Sequence, residues 1–504
     1  MTTTNTHKFR EAPPKAGAMI EALRGIGYST ATAIADIIDN SIAAGSQNIE
    51  IAFVWEGVMS RVEVLDDGRG MNPCELDLAM RLGEKNPLEE RLDGDLGRFG
   101  LGLKTASFSQ CKRLTVASRQ QHVTSCLHWD LEAIANDLED RWLLLEDSPK
   151  SLEQIIPDKL NSRPSGTLVC WEVLDRIITP HFTEQNFLDL IDGVESHLAM
   201  VFHRFLDGTF GHIQLMINNC KVSPWDPFMD GNPAKPWHVP SVKHPLDRNV
   251  EIECHVLPHK DRLTEHDFLK YQGPDGWTAQ QGFYVYRGGR MLVAGSWLGL
   301  GRGRLWTKDE AHRLARIRLD IPTNSDSDWK IDIKKATARP PVKLREWLVY
   351  MAELTRHRAR KVFAHRGQVA SGDRKEKAII PAWRASKNHE GVRYKINYDH
   401  PAIRTVIDNA GDLLPAIKAM LQTVQETVPI QRIWLDTEEQ KDTPRNRFSN
   451  DPPENLRQVL EDLFLAMTKY QGLSELAAVK QLKQTDPFQE YPDVVESLLK
   501  NSME

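Results

Sequence analysis

The chain has 504 residues, of which 40% are hydrophobic and 27% charged, and this composition excludes a disordered or fibrous protein. Its length exceeds what a single hydrophobic core organises, so we expect two to four domains. The formal net charge of −6 excludes a general attraction to nucleic acid or to an anionic membrane, so either contact would need a local basic patch.

The cysteines and the apolar segments indicate a cytoplasmic protein. The six cysteines are scattered without metal-ligand spacing, which is typical of reduced and mostly buried thiols. The N-terminal sequence lacks the apolar segment of a signal peptide. No run of about 18 apolar residues is present, so we expect no membrane span.

Helices and strands alternate over the first 170 or so residues, after a polar N-terminal arm. Helices are predicted at 17–23, 30–44, 73–82 and 99–109, and strands at 48–55, 61–65, 113–118, 125–130 and 167–173. This mixture with short connections predicts an α/β sandwich. Residues 83–97 are charged and poor in apolar residues, which is typical of a solvated loop or of a lid over a ligand.

The first motif is Asp36 and Asn40 on the predicted helix 30–44. Residues four apart lie on one helix face. An amide oxygen can ligate Mg²⁺, and a carboxylate can take a proton from an attacking water. A solvated helix face has the same appearance, so this pair alone is weak evidence.

The second motif, Asp66-Asp67-Gly68-Arg69-Gly70-Met71, follows an apolar strand. A carboxylate at a strand end can accept a hydrogen bond from the amine of adenine, and glycines let the backbone approach the ring. A surface hairpin turn is the alternative interpretation.

The third and fourth motifs are Gly97–Thr105 and Gly166-Thr167. Glycines that lead into a helix present free N–H groups to phosphate oxygens, and Lys104 adds a positive charge there. A dinucleotide-binding motif would need a strand before the glycines, whereas the charged segment precedes them. The Thr167 hydroxyl is a candidate support for the aspartate at the adenine end.

The order and spacing of these four motifs resemble the GHKL (Bergerat-fold) ATPase superfamily, and they look most like MutL and MORC sequences. The resemblance implies a pocket for ATP and Mg²⁺ with Asp36 as the general base and Asn40 as the metal ligand. It implies an adenine end at Asp66, Gly68, Gly70, Met71 and Thr167. It implies a phosphate end at Gly97, Arg98, Phe99, Gly100, Leu101, Gly102, Lys104 and Thr105.

Asp36 departs from the glutamate that this superfamily usually has. Its side chain is one methylene shorter, and a misplacement of roughly 1 Å can reduce a rate by on the order of 10²-fold. We therefore expect either that hydrolysis is slow or that Asp36 acts through a second water. A further departure is Ala43, where many relatives have aspartate.

A second, α+β domain is predicted at 196–342, with strands at 212–217, 250–257 and 282–286. Residues 281–291 (QGFYVYRGGRM) resemble the S5-like transducer domain of gyrase, MutL and MORC proteins. Such domains send a lysine or arginine to the γ-phosphate, which implies Lys335, or else Lys334. Two solvated lysines are the alternative.

The remaining sequence is a basic helix and linker at 343–380 and a mixed, mainly helical C-terminal domain at 381–504, with a strand expected at 428–436. The helix 343–366 is typical of a solvated surface, or of a DNA contact. The arginines and lysine that would make this contact are Arg345, Arg356, Arg358, Arg360, Lys361 and Arg366.

The resemblance implies an ATP-gated homodimer of the MutL or MORC type that acts in DNA repair or in defence against foreign DNA, with a nuclease or another defence protein as a possible partner. Two alternatives stay open. One is a nucleotide-dependent binding or chaperone-like module with little turnover. The other is a histidine-kinase-like phosphotransferase.

Overall fold

The computed structural model of the chain describes residues 14–83, 102–234, 236–245, 247–325, 328–331, 337–364, 380–388, 391–433, 454–469, 472–485, 488 and 491–501. The chain divides into two units, Met1–Val369 and Ala370–Glu504. The predicted arm and lid lie outside the described residues, except Pro14, Lys15 and Gly83 at their edges. The candidate site residues Gly97, Arg98, Phe99, Gly100, Leu101, Lys334 and Lys335 also lie outside them.

The first sheet has seven strands in the order β4-β3-β5-β2-β1-β6-β7. Its strands are β1 (Asn48–Val54), β2 (Arg61–Asp66), β3 (Arg113–Gln120), β4 (Val123–Asp130), β5 (Gly166–Glu172), β6 (Gln214–Ile217) and β7 (Cys220–Lys221). Neighbouring strands are antiparallel, except that β1 and β6 are parallel. The predicted mixture of helices and strands is confirmed.

Side chains alternate between the two faces of this sheet, as the pleat requires. Val64 and Trp171 face the main core, whereas their neighbours Leu65 and Cys170 face a smaller cluster on the other side. The helices are α1 (Ala16–Arg24), α2 (Thr30–Ala43), α3 (Pro73–Met80), α4 (Gly102–Phe108), α5 (Leu131–Ala135), α6 (Ile155–Leu160), α7 (Glu184–Val201) and α8 (His203–Leu206). Helices α1, α2 and α7 contribute to the main core, and α6 covers the smaller cluster.

Helix α2 forms where the sequence predicts it. Ser29 and Thr32 make reciprocal side chain to backbone hydrogen bonds at its start. Ile34, Ile37 and Ile38 are buried against the sheet. Because these isoleucines fix the rotation of the helix, they also fix the direction in which its polar residues point.

Strand β6 corrects one expectation. The sequence analysis placed residues 212–217 in a second domain that begins at residue 196, but β6 pairs with β1 in the first sheet. Asn218 extends this contact, because its side chain accepts a hydrogen bond from the Phe53 N–H at 2.8 Å. The first sheet therefore continues past the boundary expected at residue 195.

A second sheet follows in the order β11-β10-β12-β9-β8. Its strands are β8 (Trp237–Lys243), β9 (Glu251–Val256), β10 (Gly282–Arg287), β11 (Arg290–Ser296) and β12 (Ala315–Ile321), with short helices α9 (Glu265–Tyr271) and α10 (Gly276–Ala279). Helix α11 (Val342–Ala364) packs on one face of this sheet. On the other face, Tyr284 and Tyr286 pack with Met200 of α7.

The second unit contains a hairpin and helices. These are β13 (Trp383–Asn388), β14 (Gly391–Ile396), α12 (Pro401–Asp408), α13 (Leu414–Glu426), α14 (Glu454–Lys469), α15 (Glu475–Leu482) and α16 (Pro492–Asn501). The strand expected at 428–436 is wrong where the structure describes it, because residues 430–433 are helical. A short apolar run does not distinguish a strand from a helical turn. Among the described residues, no helix is long and apolar enough to cross a membrane.

Candidate nucleotide-binding site

Asp36 lies on the buried face of α2, with only 4% of its surface exposed. The Tyr28 hydroxyl donates a hydrogen bond of 2.9 Å to its Oδ2 atom. A Cβ atom placed on Gly102, the first residue of α4, would lie 3.8 Å from the same oxygen. The carboxylate therefore faces the segment that the sequence analysis assigned to the phosphates.

Tyr28 keeps its proton over the physiological range. Burial raises the pKa of Tyr28, and the neighbouring Asp36 carboxylate raises it further. The Thr105 side chain also hydrogen bonds to Tyr28. Tyr28 thus links the candidate base on α2 to the candidate phosphate segment on α4.

Asn40 follows Asp36 by one helical turn and is exposed, unlike the residues that precede it on α2. Its amide oxygen is therefore accessible to an ion on the same face as Asp36. An exposed amide oxygen next to a carboxylate is a donor set that suits Mg²⁺, which keeps several waters and takes few protein ligands.

Asp66 ends β2 and is 5% exposed. Its carboxylate accepts hydrogen bonds from the Ser41 hydroxyl and the Gly68 N–H, both at 2.9 Å. Burial raises the pKa of Asp66, and these bonds, with one from the Thr167 backbone, oppose that rise. Each carboxylate oxygen can accept more than one hydrogen bond, so Asp66 can still accept one from an amine.

The structure places the Thr167 hydroxyl differently from the expectation. The backbone of Thr167 bonds to Asp66, whereas its hydroxyl lies 2.9 Å from the Ser118 hydroxyl. Ser118 also accepts a hydrogen bond of 2.8 Å from the Met71 N–H. Ser118 therefore joins two candidate adenine-end residues, and the sequence analysis did not identify it.

Gly70 has a φ of +68°, which favours glycine. A Cβ atom at this position would overlap the carbonyl oxygen of Arg119. At Gly68, a Cβ atom would lie 2.9 Å from the Cβ of Ala44. Both glycines let the chain after β2 pack closer to neighbouring residues than a residue with a side chain could.

Lys104 is 3% exposed, and its ammonium group donates a hydrogen bond of 2.8 Å to the Ala79 carbonyl of α3. Gly102, Lys104 and Thr105 are the members of the candidate phosphate end that the described structure contains. All three lie on α4, where Gly102 is near Asp36 and Thr105 contacts Tyr28.

Arg290 reaches the site from the second sheet, although none of the four sequence motifs includes it. Its Nε atom lies 2.8 Å from Asp39 Oδ1, and its Nη2 atom lies 3.6 Å from Asp36 Oδ1. The only signal in the sequence is a cation after the Gly288-Gly289 turn, within the segment that resembles a transducer domain. Motif spacing in the sequence does not relate Arg290 to Asp36 and Asp39, which lie more than 250 positions away.

The first part of the chain is similar in sequence to known proteins. Residues 28–167 match the family described as histidine kinase-, DNA gyrase B-, and HSP90-like ATPase. A DNA mismatch repair protein MutL from Rhodospirillum rubrum is 39% identical over 92 residues, which cover 18% of this chain and 14% of that protein.

Two further MutL proteins are similar over segments of the same size. The protein from Agrobacterium fabrum is 35% identical over 91 residues, which cover 18% of this chain and 15% of that protein. The protein from Paramagnetospirillum magneticum is 33% identical over 105 residues, which cover 20% of this chain and 16% of that protein. The chain thus matches only about a seventh of the length of these relatives. Residues 28–167 therefore form a domain of the GHKL family, the histidine kinase-, DNA gyrase B-, and HSP90-like ATPases.

Proposed function

We propose that the chain binds ATP with Mg²⁺ in this site and hydrolyses the ATP. The observation that carries the proposal is the buried Asp36 carboxylate, which faces the start of α4 while Asn40 is exposed one turn away. In this proposal Asp36 accepts a proton from the attacking water, and Asn40 ligates Mg²⁺. Asp66 accepts a hydrogen bond from the amine of adenine.

The phosphates lie against Gly97, Gly100, Gly102 and Lys104 in this proposal, with Arg98, Phe99, Leu101 and Thr105 beside them. Lys104 must then exchange the Ala79 carbonyl for a phosphate oxygen. Lys335, or else Lys334, supplies a second positive charge to the γ-phosphate, as the resemblance implies.

Titration calorimetry with MgATP and a phosphate-release assay test this proposal. Asp66→Asn should weaken ATP binding, since an amide can present a donor where the amine needs an acceptor. Asp36→Asn should keep the affinity but lower kcat by on the order of 10²-fold or more, because an amide cannot act as a base. Asp77→Asn is the control, because Asp77 pairs with Arg81 on the surface. A wild-type rate in Asp36→Asn would contradict the role of Asp36.

We propose further that ATP closes two copies of the chain into a dimer that acts on DNA, in repair or in defence against foreign DNA. The similarity to MutL supports the connection with DNA. Light scattering with and without a non-hydrolysable ATP analogue tests closure, and an unchanged monomer in both would contradict it. Retention of duplex DNA by the analogue-bound protein tests the DNA contact.

A nucleotide-dependent binding module with little turnover is the second candidate. The short side chain of Asp36 favours it, because an aspartate reaches one methylene less far toward an attacking water than the glutamate that is usual in this superfamily. ATP binding with phosphate release that is equally slow in wild type and Asp36→Asn would support this module in place of the ATPase.

A further inference from the structure

Arg290 is a buried cation at the point where the second sheet meets α2. It begins β11 directly after the Gly288-Gly289 turn and is 3% exposed. Its guanidinium carbon lies 5.8 Å from the centre of the Phe202 ring. The hairpin thus places Arg290 between α2 and the residues that follow α7.

The two carboxylates that face Arg290 are as buried as the arginine, since Asp36 is 4% and Asp39 is 1% exposed. Charges that are buried this deeply need partners, because removal from water is costly. Arg290 lies 2.8 Å from Asp39 and 3.6 Å from Asp36, so one cation serves both carboxylates. The Nε atom lies against Asp39, the Nη1 atom donates a hydrogen bond of 3.3 Å to the Met291 carbonyl, and the Nη2 atom faces Asp36.

Asp36 is held from two directions. The Tyr28 hydroxyl donates a hydrogen bond of 2.9 Å to Oδ2, and the Arg290 guanidinium faces Oδ1. We propose that Arg290 is a positioning residue that fixes the Asp36 carboxylate for proton abstraction, so that hydrolysis depends on the docking of the second sheet against α2. This proposal rests on the proposed ATPase function.

The neighbouring His197 adds no second positive charge beside Arg290 at neutral pH. His197 of α7 is close enough to feel Arg290, and burial lowers the pKa of His197 to about 4, with the Arg290 charge acting in the same direction. Arg290 thus compensates the charge of both Asp36 and Asp39 at this junction.

Arg290→Met and Arg290→Lys in the full chain test the proposal, with kcat and KM for MgATP and the affinity for a non-hydrolysable analogue as readouts. We expect Arg290→Met to lower kcat by on the order of 10²-fold, the effect of a misplacement of roughly 1 Å, with KM and affinity within about threefold of wild type. Arg290→Lys should recover part of the lost kcat, because it restores the charge without the two-pronged geometry.

Arg204→Met is the matched control. Arg204 of α8 also contacts the second sheet. Its guanidinium pairs with Asp320 of β12 at 2.5 Å and lies over the Tyr286 ring of β10. We expect its kcat to stay within about threefold of wild type. An equal loss of kcat in Arg204→Met would mean that any weakened packing impairs hydrolysis, and would overturn the proposal.

A variant that balances charge covers the case in which Arg290→Met does not fold. Arg290→Met with Asp39→Asn removes the cation and one of its two carboxylates, and should show the same loss of kcat with affinity retained. Unchanged or increased kcat in either variant, with Asp36→Asn inactive, would overturn the role of Arg290 and leave the ATPase intact. A wild-type rate in Asp36→Asn would instead overturn the proposed function.

Discussion

Asp66 and Asp67 are adjacent in sequence but have opposite surroundings. Burial raises the pKa of Asp66. For Asp67, burial acts in the same direction, but hydrogen bonds from Asn48, Ser46 and Gln47 outweigh it and lower the pKa to about 2. Asp66 is thus the candidate ligand-binding carboxylate, and Asp67 holds the turn that leads into β1.

Asp67→Asn should reduce the free energy of unfolding by about 1 kcal/mol at neutral pH, because solvent screens part of the stabilisation of a carboxylate whose pKa is lowered to about 2. A lowered carboxyl pKa stabilises the fold above the unfolded pKa, which is about 4, and this contribution is lost as the pH falls through about 2. Urea unfolding of both proteins from pH 7 to pH 2 measures it. A difference that does not shrink below pH 4 would contradict this account.

Gly70→Ala should destabilise the protein by more than about 2 kcal/mol and weaken ATP binding. Positive φ costs an alanine about 1 kcal/mol, and the new Cβ would also overlap the Arg119 carbonyl. Gly45→Ala is the control, since its φ is +77° but its Cβ would meet nothing within 4 Å. Thermal unfolding and analogue binding compare the two, and equal losses would show that the overlap is unimportant.

Residues that share a short motif could be predicted from the sequence, and residues that meet only through the fold could not. Asp36, Asn40 and Asp66 follow from local patterns that also set their secondary structure. Tyr28, Ser118 and Arg290 lie outside those patterns, and they reach the site through the packing of separate elements.

Helix α11 carries its arginines in two different settings. Arg356 lies 4.5 Å from the Trp297 ring centre and 5.0 Å from that of Trp306, and Arg358 lies 4.5 Å from that of Trp237. Arg345, Arg360 and Lys361 are exposed, and Arg366 lies outside the described residues. The surface available for DNA is therefore smaller than the basic sequence indicates.

Arg356→Met should lower the free energy of unfolding by about 1–3 kcal/mol, because it removes two cation–π contacts and a 3.5 Å ion pair with Asp309. Arg360→Met should leave stability within about 0.5 kcal/mol and weaken any DNA contact of this helix. Denaturant unfolding and DNA retention at two salt concentrations distinguish the variants. If Arg356→Met lost DNA retention without losing stability, the packing interpretation would be wrong.

The elements with a clear period were predictable, and those without one were not. Alternating strands such as β1 and the capped helix α2 lie where the sequence places them. The hydrophobic period of β6 predicts a strand. Its parallel pairing with β1 is not visible in any local sequence pattern. The segment 428–436 is too short and too apolar for its hydrophobic period to distinguish a strand from a helix.

At the scale of the molecule, the chain has two units that divide at residues 369 and 370. Because the first unit contains both sheets and their cores, a fragment of residues 1–369 should unfold cooperatively and bind the ATP analogue with the affinity of the full chain. Calorimetry of the fragment beside the full chain measures this. A fragment that shows no cooperative transition would mean that the first unit needs the second to fold.

The parallel pairing of β6 with β1 has a consequence for synthesis on the ribosome. Asn48 of β1 pairs with Gln214, so the edge of β1 stays open while more than 160 further residues are translated. An open strand edge can pair with other chains, and contacts so distant in sequence form slowly. We therefore expect the nascent first domain to expose this strand edge until residue 221 has emerged, and a fragment that stops at residue 195 should aggregate.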